Sequence, residues 1–254
     1  MLSAFGQLAL DAAVEGAKVV SSSHGEFAVA TKASKRDLVT DVDHAAERAI
    51  VAFLRKRRPA DEILAEESGE HDGSTRVRWF IDPLDGTMNF VHHRPEFAVA
   101  VAAEVDGTTQ AGAVVRPAYG DWLAADTEGA AGSNAAAAVS DVRRLDEALI
   151  AVGVGLFGDS RMASFRLLER LLPEVRDFRR IGSASCELFG VATGSLDAYV
   201  GIGTEPWDLA PGWALVAAAG GRCLQLTTVS GRRAYVLGAP AITDGLAGLV
   251  QRYA

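Results

Sequence analysis

Asp82 and Asp85 follow directly on an apolar run and stand just before a glycine and a threonine. Residues 79–81 have the aromatic and β-branched character of a buried strand. Pro83 restricts the backbone between the two acids, and Gly86 lets the main chain come close to a ligand. The structural alternative is an ordinary Asp/Gly/Pro surface turn, but such a turn does not need two acids directly behind a buried strand. The stretch therefore predicts a strand that ends in an acidic binding site.

Further acids stand at the ends of apolar segments or at the starts of predicted helices: Asp43, Glu66 and Asp208. An acid in such a position either caps a helix or joins other acids around a cation, and for Asp43 the local sequence favours the cap. Several acids that converged without a cation would repel one another and destabilise the fold. All-oxygen ligands favour Mg²⁺, Mn²⁺ or Ca²⁺ over zinc, and an acid shared between two ions is what a two-metal centre needs.

Gly86 and Thr87 stand where a short helix is predicted to begin, and they add a place for an anion. Free backbone N–H groups and the positive end of a helix dipole bind phosphate oxygens. Metal ions beside an anion site indicate phosphoryl transfer, and the lack of a Walker-type lysine loop favours hydrolysis of a small phosphate ester. No Ser-His-Asp or Cys-His arrangement is evident, and the adjacent His92 and His93 would not share a helix face.

The composition excludes several classes of protein. The chain has 254 residues and is 49% hydrophobic, which is enough for a large core. Its net charge of −8 argues against nucleic-acid or anionic-membrane partners, so bound cations would have to attract an anionic substrate. Cys186 and Cys223 form no C-x-x-C pair, and charged residues interrupt the N-terminal apolar positions. We therefore expect a cytoplasmic protein without a disulfide framework, a zinc site or a membrane span.

Hydrophobic periodicity predicts the elements that must position the acids of the first half. An amphipathic helix ends near residues 21–23, a second helix spans 44–54 with Asp43 as its cap, and a short strand at 63–65 ends at Glu66. Polar segments at 31–37 and 69–75 are expected to be loops, the second of them mobile. Three further apolar segments predict an antiparallel meander: 97–105, 111–115 and 122–125.

Beyond an approximate domain boundary near Arg143, the predicted elements alternate between strands and helices. Strands are predicted at 148–154, 178–181, 196–200, 223–228 and 234–237, and helices at 162–172, 185–192, 207–219 and 243–253. The pattern divides the chain into an N-terminal α+β half, residues 1–143, and a C-terminal α/β half, residues 144–254. Because no repeat or linker separates them, the halves are expected to pack as one unit.

The motifs resemble those of a known family. Residues 82–90 resemble the first motif of the inositol monophosphatase family of Mg²⁺-dependent, lithium-sensitive phosphatases, and residues 207–212 with 219–221 are similar to its second. Residues 38–43 and 66–68 match two upstream segments of the family in the same order, so the resemblance covers roughly residues 1–250. It implies a layered αβαβα sandwich of the α/β class, usually assembled as a homodimer.

The resemblance also implies a ligand set for two or three Mg²⁺ ions. Glu66, Asp82 and the Leu84 carbonyl would hold one ion, and Asp82, Asp85 and Asp208 a second. A third, weaker ion would lie by Glu66. Mn²⁺ is expected to substitute for Mg²⁺, and Li⁺ or Ca²⁺ to inhibit.

Catalytic roles are implied in the same way. Thr87 with Asp43 would orient and deprotonate the attacking water, next to the metal ligand Glu66. The Gly86 and Thr87 amides would hold the phosphate, close to Asp85 and Asp208. A cap and a catalytic role are compatible for Asp43.

The second half departs from the family pattern where substrate is selected. Many inositol-preferring members carry a glutamate that contacts substrate hydroxyls after the strand corresponding to 196–200, whereas residues 200–203 contain no acid here. Loss of such a hydroxyl partner relaxes selection. Glu187 and Glu205 are the candidates to replace it, and a solvated or dimer-facing carboxylate is the structural alternative for Glu187.

The sequence therefore predicts a Mg²⁺-dependent phosphomonoesterase acting on inositol monophosphate or a related small polyol or sugar phosphate. Phosphatases of 3′-phosphoadenosine 5′-phosphate or fructose-1,6-bisphosphate share the metal scaffold and are the alternative enzymes. From another class, the chain could be a regulatory or scaffold protein with an inactive phosphatase fold. The presence of every expected ligand argues against that alternative: Glu66, Asp82, Asp85, Thr87 and Asp208.

Overall fold

A computed structural model of the chain describes residues 1–23, 27–32, 37–134, 136–155 and 158–253. In chain order the first elements are α1 (Ala4–Ser22), β1 (Val29–Thr31), β2 (Leu38–Thr40), α2 (Asp41–Arg57), β3 (Glu62–Ala65), β4 (Gly69–His71), β5 (Val77–Asp85), α3 (Thr87–Val91), β6 (Ala98–Val105), β7 (Thr108–Arg116), β8 (Asp121–Asp126) and β9 (Gly129–Gly132). They are followed by β10 (Leu149–Gly153), α4 (Gly158–Leu171), β11 (Asp177–Arg179), α5 (Ala184–Ala192), β12 (Ala198–Ile202), α6 (Pro206–Ala218), β13 (Arg222–Thr227), β14 (Arg233–Gly238) and α7 (Pro240–Tyr253).

The larger sheet has seven strands in the order β4-β3-β5-β6-β7-β8-β9. Strands β5 to β9 form an antiparallel meander, which confirms the prediction from the apolar segments and their turns. β3 instead runs parallel to β5, with their carboxyl ends side by side. The predicted loop at 69–75 is wrong for residues 69–71, which form β4 along β3. This edge strand is held by backbone pairing, and its sequence lacks the alternation of apolar residues from which a strand can be predicted.

The smaller sheet has five strands in the order β11-β10-β12-β14-β13. β10 pairs in parallel with β11 and β12, and β14 pairs antiparallel with both β12 and β13. The alternation of strands and helices predicts such parallel pairing, because parallel neighbours need a crossover between them. The predicted helices and strands of this half are present, with their ends shifted by a few residues. The division of the chain near Arg143 stays a prediction.

The elements stack in five layers, defined by three apolar cores. Helices α1 and α2 cover one face of the larger sheet. Helices α5 and α6 fill the space between the two sheets. Helices α4 and α7 cover the outer face of the smaller sheet. This arrangement confirms the αβαβα sandwich that the family resemblance implies.

The two central helices are in unusually close contact. A Cβ built on Gly212 of α6 would lie 2.4 Å from the Cβ of Leu188 on α5. On the opposite side, a Cβ on Gly112 of β7 would lie 2.5 Å from the Pro211 carbonyl oxygen. Small residues therefore allow α6 to fit between α5 and the larger sheet. Within the described ranges, none of the helices combines the length and apolar character that crossing a bilayer requires.

We expect Gly212→Ala to lower the free energy of unfolding by about 1–3 kcal/mol, because the added methyl group overpacks the α5–α6 contact. Gly248→Ala on α7 is the matched control, since a Cβ there meets nothing within 4 Å. That change should stabilise the protein by about 0.5–1 kcal/mol, as alanine does in an open helix position. Urea unfolding measures both, and equal stability of the Gly212 variant and the parent would contradict the packing argument.

Candidate active site

Glu66 and Asp82 meet because the strands that carry them are parallel neighbours. Ala65 of β3 is in register with Ile81 of β5, and the Glu66 N–H donates to the Ile81 carbonyl at 3.1 Å. Each acid comes just after these paired positions. The carboxyl ends of parallel strands are a common place for ligand sites in α/β proteins.

Asp85 reaches the same cavity as Asp82 because β5 is irregular at its end. Residues three apart in a regular strand face opposite sides of the sheet. The pairing of β5 with β6 shifts register between Asp82 and Asp85, around Pro83 and Leu84. The Leu84 N–H turns back and donates to the Asp82 Oδ1 at 3.1 Å. The irregularity thus brings both acids to one cavity.

Helix N-termini from the second half supply the other side of the cavity. Asp208 lies in the first turn of α6, which begins with Pro206. The N–H of Ser185, at the start of α5, donates to the Asp85 Oδ2 at 2.5 Å. Peptide dipoles at these ends favour negative charge. The fold therefore offsets part of the cost of burying the acids.

A cavity of about 850 Å³ joins these groups, with Asp82 at the centre of the acids. The Asp82 carboxyl group is a close neighbour of the Glu66 and Asp208 carboxyl groups, and its residue is 1% exposed. Burial raises the pKa of Asp82 well above its usual range, and the carboxylates of Glu66, Asp85 and Asp208 raise it further. Two adjacent carboxyl groups need a shared proton or a cation.

The neighbours of Asp82 respond to the same surroundings. Burial raises the pKa of Asp208 well above its usual range, and Asp85 and Glu66 add to the rise. Burial also raises the pKa of Asp85, although the hydrogen bond from the Ser185 N–H lowers it in part. These shifts would be reversed by divalent cations, and the oxygen donors suit Mg²⁺. Among the described residues, no group of three or more His, Cys, Asp or Glu side chains is arranged to hold a metal ion as it stands.

Lys32 is a cation inside this acidic cluster that the sequence analysis missed. Its Nζ donates to the Glu66 Oε1 at 2.8 Å and to the Glu67 Oε1 at 2.5 Å. Burial alone would lower the pKa of Lys32, but the two glutamates raise it. Burial, with Glu66 next to it, raises the pKa of Glu67 to about 7. Lys32 stands in the polar segment 31–37, of which residues 33–36 lie outside the described residues.

Asp43 uses its two carboxylate oxygens for two different contacts. Its Oδ2 accepts from the Thr40 N–H at 2.8 Å, and its Oδ1 accepts from the Thr87 Oγ at 3.0 Å. Thr40 is the N-cap of α2 and Asp43 is the third helical residue, so the prediction of Asp43 as the cap itself is wrong. The two residues form a reciprocal capping box. Burial raises the pKa of Asp43, and its hydrogen bonds from Thr40 and Thr87 oppose the rise.

Gly86 is the N-cap of α3, at the predicted start of the helix, and has a left-handed conformation with φ of 98°. A Cβ there would lie 2.9 Å from the Glu96 carbonyl oxygen and 3.2 Å from the Ser183 Cβ. Asn89 on α3 donates from its Nδ2 to the same Glu96 carbonyl at 2.7 Å and to the Ile181 carbonyl at 3.1 Å. Backbone strain and lack of space therefore both require glycine at position 86.

Two glutamates were candidates for substrate contact, and the structure places them differently. Glu187 is 2% exposed, and its Oε1 accepts from the Ile181 N–H at 2.7 Å and the Gly182 N–H at 3.2 Å. Burial raises its pKa to about 7. Glu205 is exposed at the N-cap of α6, where its side chain makes no cap hydrogen bond. Both line the cavity, but the main chain already engages Glu187.

The cavity has further lining residues that no local motif indicates. They come from α4, from β12 and from two loops of the second half, and no pattern of charge or spacing marks them in the sequence. His92 and His93 are exposed at the end of α3 and do not line the cavity. The further lining residues with polar side chains include Arg161, Arg180, Tyr199 and Thr204.

This fold and site define a five-layered α/β protein with an acidic cavity suited to divalent cations. A profile of the inositol monophosphatase family matches residues 2–252, and the chain belongs to that family. It is 40% identical over 249 residues to an inositol-1-monophosphatase of Mycobacterium leprae (strain TN), covering 90% of this chain and 83% of that protein. It is 38% identical over 220 residues to the Nus factor SuhB of Salmonella typhimurium (strain 14028s / SGSC 2262), covering 84% of this chain and 82% of that protein.

A solved structure agrees with the fold. The extragenic suppressor protein SuhB from Bartonella henselae superposes with a TM-score of 0.88 at 29% identity, covering 98% of this chain and 99% of that chain. The similarity thus extends over both sheets and all the helix layers.

Asp208→Asn tests whether the acids form a cation site. Without Mg²⁺ the variant should melt at or above the temperature of the parent, because one source of repulsion is gone. Mg²⁺ at a hundredfold excess over its Kd should stabilise the parent by about 2.7 kcal/mol and the variant much less. Each kcal/mol raises the melting temperature of a protein of this size by about 2–4 °C. Asp244→Asn, at an exposed position on α7, is the control and should keep the full Mg²⁺ shift. A full shift in Asp208→Asn would contradict the assignment.

Proposed function

We propose that this protein is a Mg²⁺-dependent phosphomonoesterase for inositol monophosphate or a related small polyol or sugar phosphate. The observation that carries the proposal is the position of Asp82, buried between Glu66 and Asp208 in a cavity that also holds Asp85. Membership of the family and the similarity to a protein named inositol-1-monophosphatase support it. Assembly as a homodimer and a cytoplasmic location belong to the same proposal.

The acids and one carbonyl group are the proposed metal ligands. Bound divalent cations would acidify a water molecule and neutralise charge on the phosphate and the leaving oxygen. Asp82 has the central place needed for a shared ligand. Two proposed ligands now have other partners, since Glu66 accepts from Lys32 and the Leu84 carbonyl lies 3.1 Å from the Thr87 Oγ. The full proposed set is Glu66, Asp82, Leu84, Asp85 and Asp208.

Thr87 and Asp43 form the proposed route for the proton of the attacking water. The Thr87 hydroxyl donates to the Asp43 Oδ1, so its oxygen lone pairs are free to accept from a water molecule. As the water attacks phosphorus, its proton passes to Thr87 while Thr87 passes its own to Asp43. The raised pKa of Asp43 suits it to receive that proton. The bond from phosphorus to the alcohol oxygen then breaks, and the alcohol leaves with a proton from solvent.

The Gly86 and Thr87 amides are proposed to hold the phosphate. They stand at the start of α3, and both residues line the cavity together with Asp85 and Asp208. Because these neighbours are acidic, the phosphate would bind only together with cations. A strict dependence of activity on Mg²⁺ follows, and chelation should abolish turnover.

Thr87→Ala should lower kcat by about a hundredfold to ten-thousandfold, because the proton route loses its middle group. Thr87→Ser keeps the hydroxyl and should retain most of the activity. Thr193→Ala is the control, since the Thr193 hydroxyl donates to the Phe189 carbonyl at the end of α5 and Thr193 does not line the cavity. Steady-state kinetics at saturating Mg²⁺ separate the cases. A rise in KM with unchanged kcat would mean that Thr87 binds substrate and takes no part in proton transfer.

Two other functions have a specific observation in their favour. Arg161 and Arg180 line the cavity and could bind a second anionic group, as in 3′-phosphoadenosine 5′-phosphate or fructose-1,6-bisphosphate. A relative named Nus factor SuhB favours a regulatory protein in which hydrolysis is secondary or absent. The first alternative keeps the chemistry and changes the substrate. The second keeps only the fold.

A substrate panel with purified protein and Mg²⁺ distinguishes these functions. We expect inositol 1-phosphate or a simple sugar monophosphate to give the highest kcat/KM. Arg180→Gln should leave that value within about threefold, because a monophosphate has no second anion to lose a charged hydrogen bond. A preference for the bisphosphate or the nucleotide that disappears in Arg180→Gln would replace the proposed substrate. Absence of Mg²⁺-dependent hydrolysis across the panel would favour the regulatory alternative.

A further inference from the structure

Tyr199 places a buried hydroxyl group at the carboxyl end of β12, beside the catalytic cavity. The residue is 1% exposed, yet it belongs to the cavity lining together with Thr204. The Tyr199 phenol oxygen lies 3.1 Å from the Thr204 Oγ. Thr204 itself is half-buried, in the short loop between β12 and α6. The two hydroxyl groups thus form a pair in which only Thr204 is open to a ligand.

A pair of glycines makes the space that this phenol occupies. Gly153 of β10 and Gly201 of β12 are direct partners in the parallel ladder. A Cβ on Gly153 would lie 2.2 Å from the Tyr199 phenol oxygen. A Cβ on Gly201 would lie 2.6 Å from that oxygen and 2.4 Å from the Thr204 Oγ. Any larger residue at either position would displace the hydroxyl pair.

Backbone conformation does not explain these glycines. Neither Gly153 nor Gly201 has a positive φ, so other residues could adopt the same main-chain geometry. Their absent side chains serve the fit of Tyr199 and Thr204. The Tyr199 and Thr204 hydroxyl groups also occupy the region after β12 where the family resemblance predicts an acid. A neutral hydroxyl pair stands there in this chain.

The chemistry of the pair suits an alcohol group. Burial raises the pKa of Tyr199 well above its usual range, so the phenol stays neutral. One hydrogen bond between the two hydroxyls leaves Thr204 with a free donor or lone pairs. A neutral hydroxyl can both donate to and accept from a second hydroxyl, whereas a carboxylate can only accept. Its contribution to selectivity comes from the hydrogen bond that a substrate without hydroxyls would lack.

We propose that Thr204, oriented by Tyr199, binds a hydroxyl group of the alcohol part of the substrate. Thr204 is then a specificity residue that touches substrate, and Tyr199 is a positioning residue that acts through it. The inference rests on the proposed phosphatase function and specifies its substrate class as esters whose alcohol carries further hydroxyl groups. Neither residue is among the proposed metal and phosphate ligands, so their substitution leaves those ligands in place.

The test compares hydroxylated and non-hydroxylated esters in four variants. Inositol 1-phosphate and glucose 1-phosphate carry hydroxyls, and p-nitrophenyl phosphate has none. The measured quantity is kcat/KM for the better hydroxylated ester divided by kcat/KM for the p-nitrophenyl ester. Thr204→Val and Tyr199→Phe should each lower this ratio by about threefold to tenfold, because KM for the hydroxylated ester rises. Thr204→Ser should keep the ratio. Tyr235→Phe is the control, because Tyr235 pairs with Gly201 from β14 but does not line the cavity.

The outcomes separate this inference from the function on which it rests. Equal losses on all esters, or an unchanged ratio in Thr204→Val, would overturn the role of the hydroxyl pair. Either result, with a parent protein that hydrolyses a hydroxylated ester with Mg²⁺, would overturn the inference alone. Parent protein that hydrolyses only the p-nitrophenyl ester would overturn the inference and the proposed substrate, and would leave a Mg²⁺-dependent phosphatase. Parent protein that hydrolyses none of them would overturn the proposed function as well. Thermal melts of each variant establish that the fold is intact.

Discussion

The mutual repulsion of four acids around one cavity is the constraint on which the rest of the structure depends. Glu66, Asp82, Asp85 and Asp208 line one cavity, and burial raises the pKa of each. Unpaired charges of this kind are costly in a protein interior. The fold opposes the cost with the Lys32 ammonium group on Glu66 and with helix N-termini behind Asp85 and Asp208. A bound divalent cation would remove the repulsion that remains.

The five-layered architecture explains how the acids come together. Parallel pairing of β3 with β5 delivers two of them from the larger sheet. The central helices α5 and α6 lie between the sheets, so their first turns open onto the ends of those strands. The Asn89 side chain bonds the Ile181 carbonyl and ties α3 to the second half of the chain. The site therefore exists only in the complete sandwich, since neither sheet holds all the acids.

The sequence predicted most of the elements and the positions of the acids, because both follow from local patterns. Asp82 stands behind an apolar strand whatever its partners are, and the periodicity of α5 and α6 is visible in a short window. Contacts between distant residues were not predictable. Lys32 meets its two glutamates across 34 and 35 positions of the chain. The pairing of Tyr199 with Thr204 likewise depends on Gly153 from another strand, and the choice of Thr40 over Asp43 as a cap depends on where β2 ends.

The contact of Gly212 with Leu188 has a mechanical consequence for the site. It joins α5 and α6 without a gap, so the pair behaves as one stiff body. Ser185, which holds Asp85, begins one helix, and Asp208 lies in the first turn of the other. The helix interface therefore sets the position of Asp208 relative to the Ser185 N–H that holds Asp85. Gly212 acts as a spacer for the acidic cavity although it contacts no ligand.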